Sequence, residues 1–254
     1  MTGTHDLVVI GGGVHGSTVA LLAARSRMKV ALIECDQICR GASGVNAGTL
    51  TMQMTRVALI PYAMRAHAMW ASARQWLGHD VGVVVCDGLS LAFTEQEEAL
   101  LTYRAAKRRE AGAPIEIVSG QHAAEIEPGL SRQVRAAGWC KIDGFANAYQ
   151  TGLAYRRALV EAGVVIYEQT AASGIDIAHH GYHVVTSQGS IDGRRLARVH
   201  AQTIRKPHRR LEWGVYPVRT IERSELFFPF ANYDLCTASW DRIDVEFVHQ
   251  AFGP

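Results

Sequence analysis

Cysteine is sparse and has no paired pattern. The chain holds five, Cys35, Cys39, Cys86, Cys140 and Cys236, an odd number with no CxxC spacing. A disulfide framework or a zinc ribbon finds no support, and a reducing cytoplasm is the simplest setting. Charge of one sign is lacking too: 26 Lys and Arg face 24 Asp and Glu, a formal net of +2. Global charge therefore gives no argument for nucleic acid, an anionic membrane or an acidic tail. No apolar run reaches the length that crosses a bilayer, and residues 7–10 fall far short of it. The start, MTGTHDLVVIGGG, has no charged n-region, long apolar h-region or small-residue cleavage site. The expectation is a soluble, cytoplasmic protein without a transmembrane segment. With 48% hydrophobic and 20% charged residues among 254, disorder is excluded, and one large domain or two small ones fit.

What is present is glycine, placed early. Residues 7–10, Leu-Val-Val-Ile, read as a buried parallel strand, and glycines 11, 12, 13 and 16 follow at once. Residues 14–25 are rich in Ala, Leu and Val and read as a helix. Residues 30–33, Val-Ala-Leu-Ile, read as a second buried strand that ends at Glu34. Strand, glycine turn, helix and strand make one βαβ unit, so the fold class is α/β. Further on, residues 58–76 are helix-like, and 81–85 and 89–93 look like strands. Thr94 opens a capping box with Glu97, which predicts a helix to about Ala111. Strands are expected at 115–118 and 164–167, a helix within 144–162, and a hairpin over 174–186 turning at His179-His180-Gly181. Composition then shifts. Residues 1–194 hold 22 of the 24 glycines, and residues 194–210 carry seven Lys or Arg and no acid. Strand and helix periodicity both fade there.

Gly11-x-Gly13-x-x-Gly16 lies between a strand and a helix, and Glu34 follows Gly16 by 18 residues. Gly11 permits a tight turn, Gly13 lets backbone approach a pyrophosphate, and Gly16 lets helix and strand pack closely. The helix N-terminus offers N–H groups and a positive dipole end to a diphosphate. Glu34 accepts from both ribose hydroxyls and repels a 2′-phosphate, so NADP is disfavoured. The bland alternative is a structural turn with coincidental spacing. This fingerprint does not separate FAD from NAD. A second small-residue loop, 40–48, starts six residues past Glu34 and carries Ser43 and Asn46. It suits a cofactor that continues past the pyrophosphate into a ring system, or it is an ordinary surface turn.

Three stretches carry a family resemblance: VVIGGGVHGSTVALLAARSRMKVALIE, GASGVNAGTL and DGFANAYQTGLAYRRALVEAGVVIYEQTAASGI. They resemble the FAD-dependent family of D-amino-acid oxidase, glycine oxidase and the sarcosine oxidase β subunit, over about residues 5–190. GLSLAFTEQEEALLTYRAAKRREAGAPIEIVSGQHAAEIEPGL resembles that family's substrate-domain segment. The resemblance implies a Rossmann-like FAD domain, residues 1–75 and 143–193, interrupted by a smaller, partial, β-rich substrate domain over 76–142. It implies that Val14 and His15 touch the pyrophosphate through backbone, and that Glu34 binds the adenosine ribose with Cys35 beside it. Ala42 and Ser43 reach the diphosphate, Asn46 belongs to the same loop, and Ala47, Gly48 and Thr49 lie near the flavin ring. Ala172 contacts adenine through backbone. The implied reaction is oxidation of a small amine or amino acid: the flavin takes a hydride from the carbon bearing nitrogen, and the imine hydrolyses. No catalytic residue can be named, and the oligomeric state is open.

The departure begins near residue 194. The family follows a strand such as 183–186 with an Ala-Ala-Gly segment returning to the cofactor, and here SIDGRRLARVHAQT stands instead. Residues 194–254 are left as an unassigned tail that reads as a premature or out-of-frame ending. Arg outnumbers Lys 22 to 4, which fits GC-rich codons. Two alternatives stay open: a non-catalytic nucleotide-binding remnant, and an NAD-dependent dehydrogenase, which the 40–48 loop argues against. Other clusters read as structure. His179, His180 and His183 mark a solvated turn with no carboxylate at ligand spacing, so no metal site is assigned. Residues 194–210 lack the interleaved aromatics of a nucleic-acid surface. Met52, Met54, Met64 and Met69 read as core. Cys35 and Cys39 serve either apolar packing or redox chemistry.

Overall fold

A computed structural model of the protein describes residues 5–179 and 181–199. His180, Cys236 and the expected tail beyond Val199 lie outside the described residues. The first βαβ unit is β1 (His5–Ile10), α1 (Val14–Arg25) and β2 (Val30–Ile33). Next come β3 (Thr49–Leu50), a 3₁₀ turn (Val57–Leu59), α2 (Ile60–Ala71), α3 (Ala73–Leu77), β4 (Val84–Val85) and β5 (Gly88–Ala92). These lead to α4 (Glu95–Glu110), β6 (Ile115–Ser119), α5 (Gly120–Ile126), β7 (Ala136–Cys140) and β8 (Gly144–Phe145). The chain returns through α6 (Ala148–Glu161), β9 (Val165–Tyr167), β10 (Ala172–Ala178), β11 (Gly181–Thr186) and β12 (Gly189–Arg198).

The main sheet runs β10-β11-β12-β1-β2-β9. β1 pairs in parallel with β2 and β12, and β2 pairs in parallel with β9, while β10, β11 and β12 form an antiparallel meander. The two central strands are apolar throughout because both faces are covered. Leu7, Val9, Val30 and Leu32 point into a core shared with α1, α3 and α6. Val8, Ile10, Ala31 and Ile33 point the other way, onto Tyr182, Val184, Ile191 and Leu196. The buried Tyr155 hydroxyl joins Thr18 Oγ1 at 2.7 Å and ties α6 to α1. Burial pushes its pKa up, which keeps it neutral. A separate three-stranded sheet, β5-β7-β6, packs against α4, and a third has the order β3-β8-β4.

The structure corrects several local expectations. The helix expected over 58–76 breaks at Ser72, whose hydroxyl donates to the Ala68 carbonyl at 2.8 Å and competes with the backbone ladder. The strand at 81–85 shrinks to β4, because Asp80 Oδ1 accepts from Gly82 N–H and folds that stretch into a turn. β7, AAGWC, has no polar–apolar alternation, yet it is the central strand of its sheet. Met54 is 64% exposed, not core, whereas Met52 is buried. Periodicity does not end at Arg194: β12 runs on to Arg198 and lies directly beside β1, so residues 194–198 belong to the main sheet rather than to a tail. Arg194 and Arg195 are exposed on it, which is why the pattern reads as polar.

α4 carries the capping box in full: Thr94 Oγ1 accepts from Glu97 N–H, and Glu97 Oε2 accepts from Phe93 and Thr94 N–H. The Phe93 bond, then that from Thr94, holds the Glu97 carboxyl below its usual range. The folded pKa is lowered, so its stabilisation is present above the usual Glu range and is lost as pH falls through the folded value. Thr94→Ala should lower stability by about 1 kcal/mol in urea denaturation at pH 7. Glu97→Gln should flatten the acid limb of the wild-type stability profile as pH falls below the usual Glu value of 4.5, and an unchanged limb would show the box is idle.

Candidate nucleotide site

The site forms at the C-terminal end of β1. Gly11 has φ +106° and donates its N–H to Ile33 O at 2.8 Å, turning the chain out of the sheet. A Cβ on Gly16 would stand 1.8 Å from the Gly11 carbonyl oxygen, so only glycine lets α1 begin so close to β1. Gly13 caps α1 in ordinary extended backbone (φ −67°, ψ 177°). What limits Gly13 is the Ser43 hydroxyl, 3.1 Å from where its Cβ would sit. Ser43 Oγ also accepts from Val14 N–H at 3.1 Å. The amides of Val14, His15 and Gly16 precede the first intrahelical bond, Ser17 N–H to Gly13 O. The first turn of α1 holds no acid, so nothing there opposes an anion. His15 is half-buried, and burial lowers its pKa, so the ring is neutral at neutral pH.

Glu34 stands on the other side of the turn. Its Oε2 accepts from Gly12 N–H at 2.6 Å, and its Oε1 from Asp36 N–H at 2.9 Å and the Cys35 thiol at 3.1 Å. Oε2, with one bond, keeps lone-pair capacity for a further donor. Burial, then the hydrogen bond to Glu34, pushes the exposed Cys35 thiol up, so it stays protonated. That corrects the reading of Cys35 as packing and argues against a nucleophile. Cys39 is the buried one, pushed up to about 12 by burial.

Hydrogen bonds and close approach thus bring Gly11, Gly13, Val14, Gly16, Glu34, Cys35 and Ser43 together. Gly12, which the spacing argument passed over, belongs with them. A Cβ on it would lie 2.7 Å from Ile38 Cδ1 and 2.9 Å from Glu34 Cβ. Asn46 turns inward on its own loop: Nδ2 donates to Ala42 O and Ser43 O, and Oδ1 accepts from Gly48 N–H. Ala42 and Ala47 are exposed, and Thr49 lies in β3 opposite Phe145. Gly48 has φ +70°, and a Cβ there would meet Ala146 O at 1.9 Å. Ala172 opens β10; two residues earlier Thr170 N–H donates to Glu34 O, so this segment runs beside Glu34.

Two further residues escaped the sequence reading. Glu168 accepts from Ile38 N–H at 3.0 Å and from the Arg156 guanidinium at 2.9 Å, which anchors the loop after Glu34. Burial pushes its pKa up, but the Arg156 and Ile38 bonds outweigh that and leave it below the usual range. Asp143 accepts three bonds from residues 51–53. At the hairpin, His183 Nδ1 meets Asp192 Oδ1 at 2.7 Å, a cross-strand carboxylate invisible to sequence spacing. Among the described residues no group of three or more His, Cys, Asp or Glu is arranged to hold a metal. Nor is any described helix long and apolar enough to cross a membrane.

Comparison with known proteins agrees with this geometry. The sequence profile of the FAD dependent oxidoreductases (DAO) matches residues 6–222. The match runs well past residue 190, where the recognisable resemblance had been expected to end. Glycine oxidase from Geobacillus kaustophilus is 29% identical over 235 residues, covering 86% of this chain and 61% of the relative. One of the opine oxidase chains of Rhizobium meliloti is 26% identical over 216 residues, covering 76% and 58%. The crystal structure of the Geobacillus kaustophilus glycine oxidase superposes with a TM-score of 0.73 at 28% identity, over 79% of this chain and 56% of that one. The chain thus spans about three fifths of the length of these curated relatives.

Gly13 and Gly16 should fail in different ways. Gly13→Val keeps a permitted backbone but fills the space before Ser43. It should weaken ADP binding by about tenfold or more while leaving the thermal midpoint within a few degrees. Gly16→Ala drives a methyl into a backbone carbonyl and should destabilise the fold by about 3 kcal/mol. Calorimetric titration and thermal melts separate the two, and equal ADP affinity in Gly13→Val and parent would remove Gly13 from the site.

Proposed function

The chain belongs to the DAO family of FAD-dependent oxidoreductases, and from that premise we propose that it binds FAD and oxidises a small amine or amino acid. The observation that carries the reading is the Glu34 carboxylate bonded to Gly12 N–H at 2.6 Å, directly beside the amide-presenting start of α1. The cradle fits the group: Gly12 and Gly16 leave no room for a Cβ, one on Gly13 would sit tightly 3.1 Å from Ser43 Oγ, and the donors face the place a diphosphate takes in a βαβ unit. Glu34 accepts from the adenosine ribose hydroxyls. The amides of Val14 and its neighbours hold the diphosphate, with Ser43 turning its hydroxyl toward it. Residues 42–49 continue toward the ring, and the backbone near Ala172 borders the adenine. When bound, FAD supplies the two-electron acceptor, and the protein's part is to orient the donor carbon and exclude water. No catalytic residue is assigned.

The relatives named glycine oxidase and opine oxidase support a substrate that bears an amine. A small-molecule substrate is also favoured over nucleic acid by the near-neutral charge. The cysteine pattern favours a reducing cytoplasm. A second reading, nucleotide binding without turnover, is favoured by the composition past Arg194, where only Gly214 and Gly253 remain.

The purified chain should bind FAD and ADP, with NADP weaker by about tenfold or more, because the Glu34 carboxylate repels a 2′-phosphate. Visible spectra and parallel titrations check this, and NADP binding as tightly as FAD would sink it. Peroxide release and dye reduction on glycine, sarcosine and D-alanine then separate the two readings. Turnover matching that of a full-length relative excludes the second, and FAD binding without turnover excludes the first.

A further inference from the structure

Asp143 has no part in the cradle, yet it is a buried carboxylate that accepts three hydrogen bonds. It is 5% exposed, and its oxygens accept from three consecutive residues of one segment. Oδ2 accepts from the Thr51 hydroxyl at 2.8 Å and Gln53 Nε2 at 3.3 Å, and Oδ1 from Met52 N–H at 2.8 Å. Gln53 Nε2 also donates to Gly88 O at 2.8 Å. The backbone of β5 passes so close that a Cβ on Gly88 would lie 2.4 Å from Asp143 Oδ2. Beside Asp143, Ala146 N–H donates to Gly48 O at 2.9 Å, and β8 pairs with β3 through Thr49–Phe145 and Leu50–Gly144. One short stretch, 143–146, therefore grips the whole of 48–53 by charge-assisted and backbone bonds.

The gripped segment is the continuation of the cradle. Ser43 marks the diphosphate position through Val14 N–H, and Glu34 marks the ribose on the far side of Gly12. From Ser43 the chain turns through residues 44–48, with Asn46 bonded to Ala42 O, Ser43 O and Gly48 N–H, and enters β3 at Thr49. The adenosine end is held by other elements, namely β1, α1 and Glu34. None of the side-chain bonds that fix those elements involves Asp143.

We infer that Asp143 is a positioning residue for the flavin half of the cofactor: it fixes residues 48–53 along the ring and leaves the adenosine half to Glu34 and α1. This rests on the FAD reading above. The test compares ADP with FAD on the full chain. In Asp143→Asn, ADP affinity should stay within about twofold of wild type, while FAD affinity falls by about tenfold or more, the scale of a lost hydrogen bond to a charged group. The absorption bands and fluorescence of residual bound flavin should move toward those of free flavin. Thr51→Val removes the hydroxyl that donates to Asp143 and accepts from Gln53 N–H, and should give the same split at about threefold or more. It decides the matter if Asp143→Asn does not fold. FAD and ADP affinities falling together would show a merely structural carboxylate and overturn the inference, as would a FAD affinity that does not move. A wild-type chain that binds ADP but not FAD, or neither, overturns the FAD reading itself and the inference with it.

Discussion

The close approach of α1 to β1 governs this molecule. Gly16 sits where any Cβ would overlap the Gly11 carbonyl, and Gly11 leaves the strand at a φ that favours glycine. With those two positions met, the start of α1 is held over the end of β1, and its first amides face outward from the sheet. Bulk at either residue would push the helix away, and Gly12 could no longer reach Glu34 at 2.6 Å. The presentation of amides at the start of α1 is therefore a packing result before it is an electrostatic one.

Three carboxylates then shape what surrounds the turn, each by accepting backbone amides. Glu34 takes those of Gly12 and Asp36, Glu168 that of Ile38, and Asp143 that of Met52. An irregular loop has many amides and few internal acceptors, so carboxylates are an efficient way to order it. In this chain they order, in sequence, the turn after β1, the loop behind it and the segment past Ser43. Burial keeps the nearby thiols out of chemistry: it pushes Cys35 and Cys39 upward, with the Glu34 bond adding to it at Cys35, and both remain protonated.

β12 gives the main sheet its other side. It pairs with β11 along its first half and with β1 along its second, and Val199 N–H still reaches Ile10 O. The strand beside the dinucleotide turn is thus made of residues that read as a polar departure. Ile191 and Leu196 reach the core, while Arg194 and Arg195 stand in solvent. Pairing on both edges holds a strand whose own residues carry little β signal.

Local and periodic features were legible in the sequence. The βαβ unit followed from two apolar runs around a glycine turn, and α1 and β2 fall where that pattern set them. The α4 cap followed from Thr94 and Glu97, because a capping box joins residues only three positions apart. Other features required the fold. Asp143 reaches donors about ninety positions away, and Glu168 meets an amide 130 positions away, so no spacing rule links them. β7 lies at the centre of its sheet without alternation, and β12 takes its place through partners rather than propensity. Short-range sterics and capping are written in neighbouring residues, and so the nucleotide turn could be read directly. The grip on the loop beyond it depends on which distant strands lie side by side, and only tertiary packing decides that.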